Sequence, residues 1–272
     1  MPARPDAATA FHRLHQGPEL LILANAWDAG TARLMESLGS RAIATTSAGV
    51  AWAHGYADGD VLPVDLLVGT VAAIARIVAV PVTTDMEGGY SDRPEEVGEL
   101  AARLIDAGAS GINIEDGSAS PDLLCAKIET IRRVAEKSGV DLFINARTDV
   151  FLRSLAPQEA RVDETLARAR RYRDAGASGI FVPAATAPDD IRCIAAGTDL
   201  PLNVMARPGL PAAAELVRLG ARRLSAGSAL SEALLNRLSG LAKPFLETGD
   251  SDLICSAAGS YGDLNALMKK RA

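Results

Sequence analysis

The sequence predicts a closed (β/α)8 barrel in a single domain, and three observations carry that prediction. Eight short apolar runs alternate with segments of helical spacing along most of the 272 residues. Strands that are apolar on both faces belong to parallel sheets covered by helices. The fingerprints of an open, nucleotide-binding sheet, GxGxxG after the first strand or GxxxxGK followed by Ser or Thr, are missing.

In order, the runs are ELLILANAWD, RAIATTSAG, VPVTTDME, SGINIED, DLFINARTD, SGIFVPA, LPLNVMA and ARRLSAGSA. Between the third and fourth lies a helix, RPEEVGELAARLIDAG, with Pro94 near its start, Glu95 and Glu96 at its positive end and Gly108 as its stop. The heptapeptide DAGASGI occurs at 106–112 and again at 174–180, so one helix-to-strand corner is used twice. After the fourth run, Pro121 and Asp122 start a helix whose apolar face carries Leu124, Ile128 and Ile131. Cys125 falls in its first turn beside that face and reads as a packing residue, although a helix N-terminus can activate a thiol. The barrel domain spans 1–272, with 244–272 as a helical tail that packs on the barrel or on a neighbouring subunit.

A formal net charge of -6, with basic residues mixed among acids, argues against nucleic acid or anionic lipid as partner and favours a small molecule. Three widely spaced cysteines without a CxxC pair fit a reducing compartment. The N-terminus has no apolar signal region, and no run approaches the roughly 18 apolar residues of a membrane span, so the expectation is a cytoplasmic protein. With only His12, His15 and His54 available, acid-base chemistry must rest on carboxylates, Arg, Tyr, Ser or a metal.

Reactive groups of such barrels sit at the C-terminal ends of the strands. The third run ends in Asp85 and Glu87, the fourth in Glu115 and Asp116, the fifth in Arg147 and Asp149, and the loop after the second carries Asp58. One acid there is most simply a cap or an ion-pair partner. Several acids aimed at one mouth repel one another unless a cation lies among them, and hard oxygen ligands suit Mg²⁺ or Mn²⁺. Mg²⁺ takes only one or two carboxylates directly, so the remaining acids would hold its waters. Small residues in TTSAG, 45–49, let backbone N–H groups approach an anion, or simply form a tight turn. Arg147 either pairs with Asp149 or meets a substrate carboxylate and developing negative charge; beside a metal site the second role is expected.

The segments NAWDAGTARLMESLG, TTSAGVAWAHGYADGD, PVTTDMEGGY, GINIEDG, NARTDVF and PLNVMA, in this order across about the first 210 residues, resemble the isocitrate lyase and phosphoenolpyruvate mutase superfamily. The resemblance implies a barrel whose eighth helix is exchanged between subunits, a dimer of dimers, and a Mg²⁺ ion that binds a 2-oxo acid. It implies Asp85 as direct metal ligand, with Asp58, Glu87 and Glu115 around the metal's waters. Ser47, Ala48 and Gly49 would hold the substrate carboxylate, and Arg147 and Asp58 are the candidate catalytic residues.

Three departures narrow the chemistry. The loop after the fourth run, GSASPDLLCAK, lacks the KKCGH or KRCGH motif of the isocitrate-type lyases and the Lys and Asn-Ser groups of the mutases and phosphonopyruvate hydrolases. Glu87 stands where many members have Asp, and Ala184 where they have Glu or His. A site stripped of these groups favours leaving groups that need no protein acid. The expected activity is therefore a Mg²⁺-dependent carbon-carbon lyase or decarboxylase on a small 2-oxo or 2-hydroxy dicarboxylic acid, acting through an enolate. The alternatives are a carbon-phosphorus enzyme and a non-catalytic barrel that binds a 2-oxo acid.

Overall fold

The computed structural model describes residues 4–269, and all eight predicted runs form strands within it. The ends of the predicted 1–272 domain and of its 244–272 tail, 1–3 and 270–272, lie outside the described residues. The chain runs α1 (Pro5–Gln16), β1 (Leu21–Leu23), β2 (Asn25–Ala26), α2 (Ala29–Ser37), β3 (Ile43–Thr45), α3 (Ser47–Ala53) and α4 (Val64–Ile77). It continues through β4 (Val82–Asp85), α5 (Pro94–Ala107), β5 (Gly111–Glu115), α6 (Pro121–Lys137), β6 (Phe143–Arg147), α7 (Arg161–Asp174) and β7 (Gly179–Phe181). The last elements are α8 (Pro188–Ala196), β8 (Leu202–Met205), α9 (Ala213–Arg218), β9 (Ala221–Ser225), α10 (Ala229–Thr248), α11 (Asp252–Ala257) and α12 (Tyr261–Leu267).

Every strand pair is parallel, in the order β1-β9-β8-β7-β6-β5-β4-β3-β2. The first run is split at Ala24: its β1 half pairs with β9 and its β2 half with β3, which brings the two ends of the sheet together into a nearly closed barrel. Helices cover the outside, and their apolar faces meet the outward side chains of the strands in one large buried cluster that includes Leu104, Ile112, Ile128, Ile144 and Ile180. Both copies of DAGASGI turn as predicted. Gly108 and Gly176 take φ of 105° and 108°, a left-handed conformation that a side chain would strain.

Inside the barrel, α1 plugs the N-terminal end. Phe11 is fully buried with Leu21, Leu23, Ala44 and Phe143, and its ring lies edge-on to Phe143 at 5.3 Å. Gly111 leaves that space open, because a Cβ there would stand 2.8 Å from the Phe11 ring. The plug fills the centre of this end, and a cavity of about 420 Å³ remains beside it, lined by His12, His15, Phe143 and Arg222.

Residue 244, where the predicted tail begins, falls inside α10, which continues through Pro244. The helix follows directly from β9 and leaves Leu230, Leu234, Leu235 and Leu238 exposed. Among the described residues no helix is long and apolar enough to cross a membrane.

The plug gives a stability test. Phe11→Ala removes a fully buried ring from the barrel floor and should cost about 3–5 kcal/mol in urea unfolding. A loss below about 1 kcal/mol would show that α1 is dispensable for closing the barrel.

Candidate active site

The C-terminal mouth holds a cavity of about 260 Å³ lined by residues from all eight predicted strand regions, among them Asn25, Ser47, Asp85, Asn113, Arg147, Phe181, Met205 and Ser225. Asp58, from the loop after α3, reaches the same cavity. Asp85 ends β4, where its backbone N–H donates to Thr45 Oγ1 at 2.8 Å and its carboxylate accepts from the Glu87 N–H at 3.2 Å. Burial pushes the Asp85 carboxyl above its ordinary range, and the Arg147 charge only partly opposes this. Among the described residues no Lys, Arg or His stands within 4.0 Å of it. An ionised carboxylate so placed lacks a partner cation.

Arg147 ends β6 in register with Glu115 on β5 and Phe181 on β7. Its Nε and Nη2 grip Asp149 at 2.7 and 3.1 Å, its Nη1 pairs with Glu115, and the guanidinium lies 5.9 Å from the Phe181 ring centre. Two of the five guanidinium N–H groups are hydrogen-bonded to Asp149, while the side chain also lines the cavity. Thus the pairing with Asp149 and the placement at the site, posed as alternatives by the sequence, occur together. Burial lowers the Arg147 pKa, but Glu115 and Asp149 more than reverse this and keep the group cationic. For Glu115 burial raises the pKa, Arg147 pulls it back, and Asp85 and Asp149 add to the rise.

The four acids expected around a metal do not share one position. Asp58 and Asp85 line the cavity, while Glu115 lines a neighbouring cavity of about 380 Å³ with Asp60, Tyr90 and Lys127. Glu87 lines neither. Its φ of 52° places its carboxylate in a loop knot, where it accepts from the Gly59 and Asp60 N–H groups and from the Tyr90 hydroxyl at 2.7 Å. Asp60 accepts from the Tyr90 N–H at 3.0 Å, and Lys127 donates to Gly88 O at 2.7 Å. Three of the five non-glycine residues with positive φ among those described, Asp60, Glu87 and Tyr90, are in this knot. Such strain persists only where surrounding contacts over-determine it, and here it fixes the loop that presents Asp58.

Among the described residues no three acidic, His or Cys side chains form a group able to hold an ion by themselves. The donor set still fits Mg²⁺, which takes one or two carboxylates and fills its shell with water or substrate oxygens. A half-buried Asp85 without a counter-cation among the described residues, with Asp58 on the same cavity, is such a set.

Ser47 and Ala48 line the cavity at the start of α3, whose first N–H groups have no intrahelical acceptor. Gly49, expected beside them, does not line it: it packs where a Cβ would stand 2.7 Å from Thr46 Cγ2 and 3.0 Å from Trp27 Cβ. Asp116 points into the structure, accepting from the Asp149 N–H at 2.9 Å, Arg168 at 2.8 Å and the Tyr172 hydroxyl at 2.6 Å. Ala184, with φ of 68°, also lies off the cavity, as does the half-buried Cys125, whose thiol pKa burial raises. Sequence reasoning passed over Asn25, Asn113, Met205, Arg207 and Ser225, all on the cavity. A signal was there: Asn and Ser at alternate positions of otherwise apolar strands have no reason to be inside unless they serve each other or a ligand.

Similar proteins place this geometry. An uncharacterized protein of Mycobacterium tuberculosis is 39% identical over 80% of this chain and 82% of its own length. A provisionally named phosphonomutase of Burkholderia cenocepacia J2315, solved by crystallography, is 42% identical with a TM-score of 0.83, covering 88% of this chain and 99% of that one. An oxaloacetate decarboxylase of Bradyrhizobium sp. (strain BTAi1) is 31% identical over 50% of this chain and 48% of its own length. The model of phosphoenolpyruvate phosphomutase matches residues 11–246, nearly the whole barrel, and the chain therefore belongs to that family, within the isocitrate lyase and phosphoenolpyruvate mutase superfamily.

Proposed function

We propose that the protein is a Mg²⁺-dependent carbon-carbon lyase or decarboxylase acting on a small 2-oxo or 2-hydroxy dicarboxylic acid. The observation that carries this reading is the half-buried Asp85 carboxylate, without a counter-cation among the described residues, sharing one cavity with Asp58 and Arg147. Asp85, with Asp58 beside it, would hold a divalent cation, which would supply Lewis-acid stabilisation to a pyruvate-like unit. Mn²⁺ satisfies the same oxygen donors.

The chain's own groups provide the rest. The N–H groups of Arg147 not bonded to Asp149 donate to substrate oxygens and counter negative charge as it develops. Amides at Ser47 and Ala48 face the substrate carboxylate at the start of α3. Asp58, exposed at the rim, accepts a hydrogen bond from water or a substrate hydroxyl, while Glu87 and Glu115 steady the loop and the arginine around it. Among the described residues no Lys or Cys lines the cavity, which favours a leaving group that needs no protein acid. Carbon dioxide is such a group, and oxaloacetate decarboxylation is the named activity of the Bradyrhizobium relative.

A carbon-phosphorus reaction is the second reading, favoured by the name of the Burkholderia structure. A panel of oxaloacetate, other 2-oxo and 2-hydroxy dicarboxylic acids and phosphonopyruvate, assayed with and without Mg²⁺, separates the two. We expect metal-dependent release of pyruvate or a related 2-oxo acid from a dicarboxylic acid. Turnover of phosphonopyruvate alone would establish the second reading, and metal-dependent oxalate binding without any turnover would make the barrel a sensor. The exposed leucines of α10 support assembly with further copies of the chain. We expect a homo-oligomer, a dimer of dimers, and a monomer in sedimentation equilibrium would overturn this.

Three variants sort the acids and the thiol. Asp85→Ala should abolish metal binding and activity while leaving the urea midpoint unchanged or raised, since it removes a half-buried charge without an ion-pair partner among the described residues. Asp116→Ala should instead lower stability by about 3–5 kcal/mol, because Arg168 and Tyr172 lose a buried partner. Cys125→Ser should alter kcat/KM by less than about tenfold, or about 1.4 kcal/mol in barrier. An inactive but folded cysteine variant would return the thiol to the chemistry.

A further inference from the structure

Arg223, in the middle of β9, is fully buried and is the bulkiest such side chain among the described residues. Its Nε donates to Ser225 Oγ at 3.1 Å and its Nη2 to Asn113 Oδ1 at 3.4 Å; Nη1 has no partner among the described residues. No carboxylate among them stands within 4.0 Å of the guanidinium. The two oxygens it reaches both belong to residues on the wall of the active cavity. Asn113 is also the register partner of Asp85.

The neighbours fix the direction of these groups. Asn145 Nδ2 donates to the same Asn113 Oδ1 at 2.9 Å, and Ser225 Oγ donates to Asn203 Oδ1 at 2.9 Å. With its oxygen occupied twice, Asn113 keeps its amide N–H groups for other partners. A layer of neutral amides and a hydroxyl therefore connects a buried cation to the cavity above it. None of these groups neutralises the cation. Burial lowers the Arg223 pKa to about 9, with Asp85 pulling it back, so the group is charged at neutral pH. Its field reaches the opposite side as well: burial first, and Arg223 second, hold His15 neutral with a pKa of about 3.

An isolated buried cation is costly, and none of the mouth's acids touches it. Asp149 and Glu115 are committed to Arg147, and Glu87 to its loop. The charge left uncompensated is thus available to whatever anion enters the cavity. We infer that Arg223 is a positioning residue whose fixed positive charge, under the cavity floor, retains small carboxylate ligands and opposes the cation bound near Asp85. Coulomb's law gives the two effects opposite signs, which a purely structural role would not produce. The inference rests on the metal-site reading above.

The test uses Arg223→Met, Arg223→Gln and Arg223→Lys, each checked for folding by circular dichroism. Mn²⁺ binding without substrate is read from the free-ion signal in electron paramagnetic resonance, and oxalate binding to the Mg²⁺-saturated protein by calorimetry. The Met and Gln variants should bind Mn²⁺ at least about threefold more tightly and oxalate at least about tenfold more weakly, and Lys should lie within about threefold of the unaltered protein in both. Gln keeps donors toward Asn113 and Ser225, so it carries the test where Met fails to fold. Both affinities falling together, neither moving, or Lys behaving like Met would overturn the inference while leaving the metal site standing. Absence of Mn²⁺ binding by the unaltered protein would sink the metal reading and this inference together.

Discussion

In a closed barrel alternate residues of every strand face the centre, and whatever the sequence places there must be satisfied inside. That alternation governs this molecule. At the N-terminal end it brings in Leu21, Leu23, Ala44 and Phe143, which close around Phe11. Half-way up it brings in Asn113, Asn145, Asn203 and Arg223, which with Ser225 form one hydrogen-bonded layer that leaves only Arg223 Nη1 without a partner among them. At the mouth it delivers Asp85, Glu115, Arg147 and Phe181. The apolar floor, the neutral amide layer and the charged mouth are one pattern read at three heights. A one-residue shift in any strand would exchange its layer with the helix-packing face.

The charges at the mouth are distributed so that few are free. Arg147 is shared by Glu115 and Asp149, and Asp149 is further held by Arg153 at 2.8 Å. Asp116 is spent on Arg168, Tyr172 and the Asp149 backbone, tying β5 to β6 and α7. Beside the exposed Asp58 and Arg207 at the rim, the charges of the cavity and its floor left without an ion-pair partner among the described residues are Asp85 on the cavity wall and Arg223 beneath it. Two opposite charges left apart, rather than joined in an ion pair, are a poor arrangement for stability alone. Their separation makes sense if ligands of both signs complete the set, a cation against the acid and an anion above the arginine. The outer sheath of apolar side chains supplies the stability that such a centre forgoes.

Much of this was legible in the sequence. The eight runs, the paired DAGASGI corners and the acids after VPVTTD and GINIE follow from periodicity and strand-end position, which are local properties. Asp85 and Arg147 emerge because each ends an apolar strand. Glu87 and Gly49 show where such reasoning stops. A residue two positions past a strand end can turn either way, and a left-handed φ sends the Glu87 carboxylate into the loop at 58–60, a partner 27 or more residues away in the chain. Gly49 was read for anion contact, yet its lack of a side chain serves the close passage of Trp27 and Thr46. Arg223 was hidden for a different reason: in ARRLS two adjacent arginines look like a solvated pair, and only the register of β9 decides which one enters the barrel.

The short connection from β5 to α6 carries the last step. Its first residue, Asp116, is locked inside by three hydrogen bonds, and its last, Ser120, caps α6 by accepting from the Asp122 N–H. Between these fixed ends only Gly117, Ser118 and Ala119 remain, folded back by the bond from the Ala119 N–H to Asp116 O at 2.8 Å. Three residues reach at most about 10 Å when fully extended, and a turn consumes most of that length. Nor do these three positions carry an acid, a base or a nucleophile stronger than a serine hydroxyl. The loop is thus anchored where a longer one would swing over the cavity, and Cys125 beyond it is held in α6. Any group that closes the mouth must come from another element, and the loops carrying Asp58, Leu152 and Arg207 are the ones that also line the cavity.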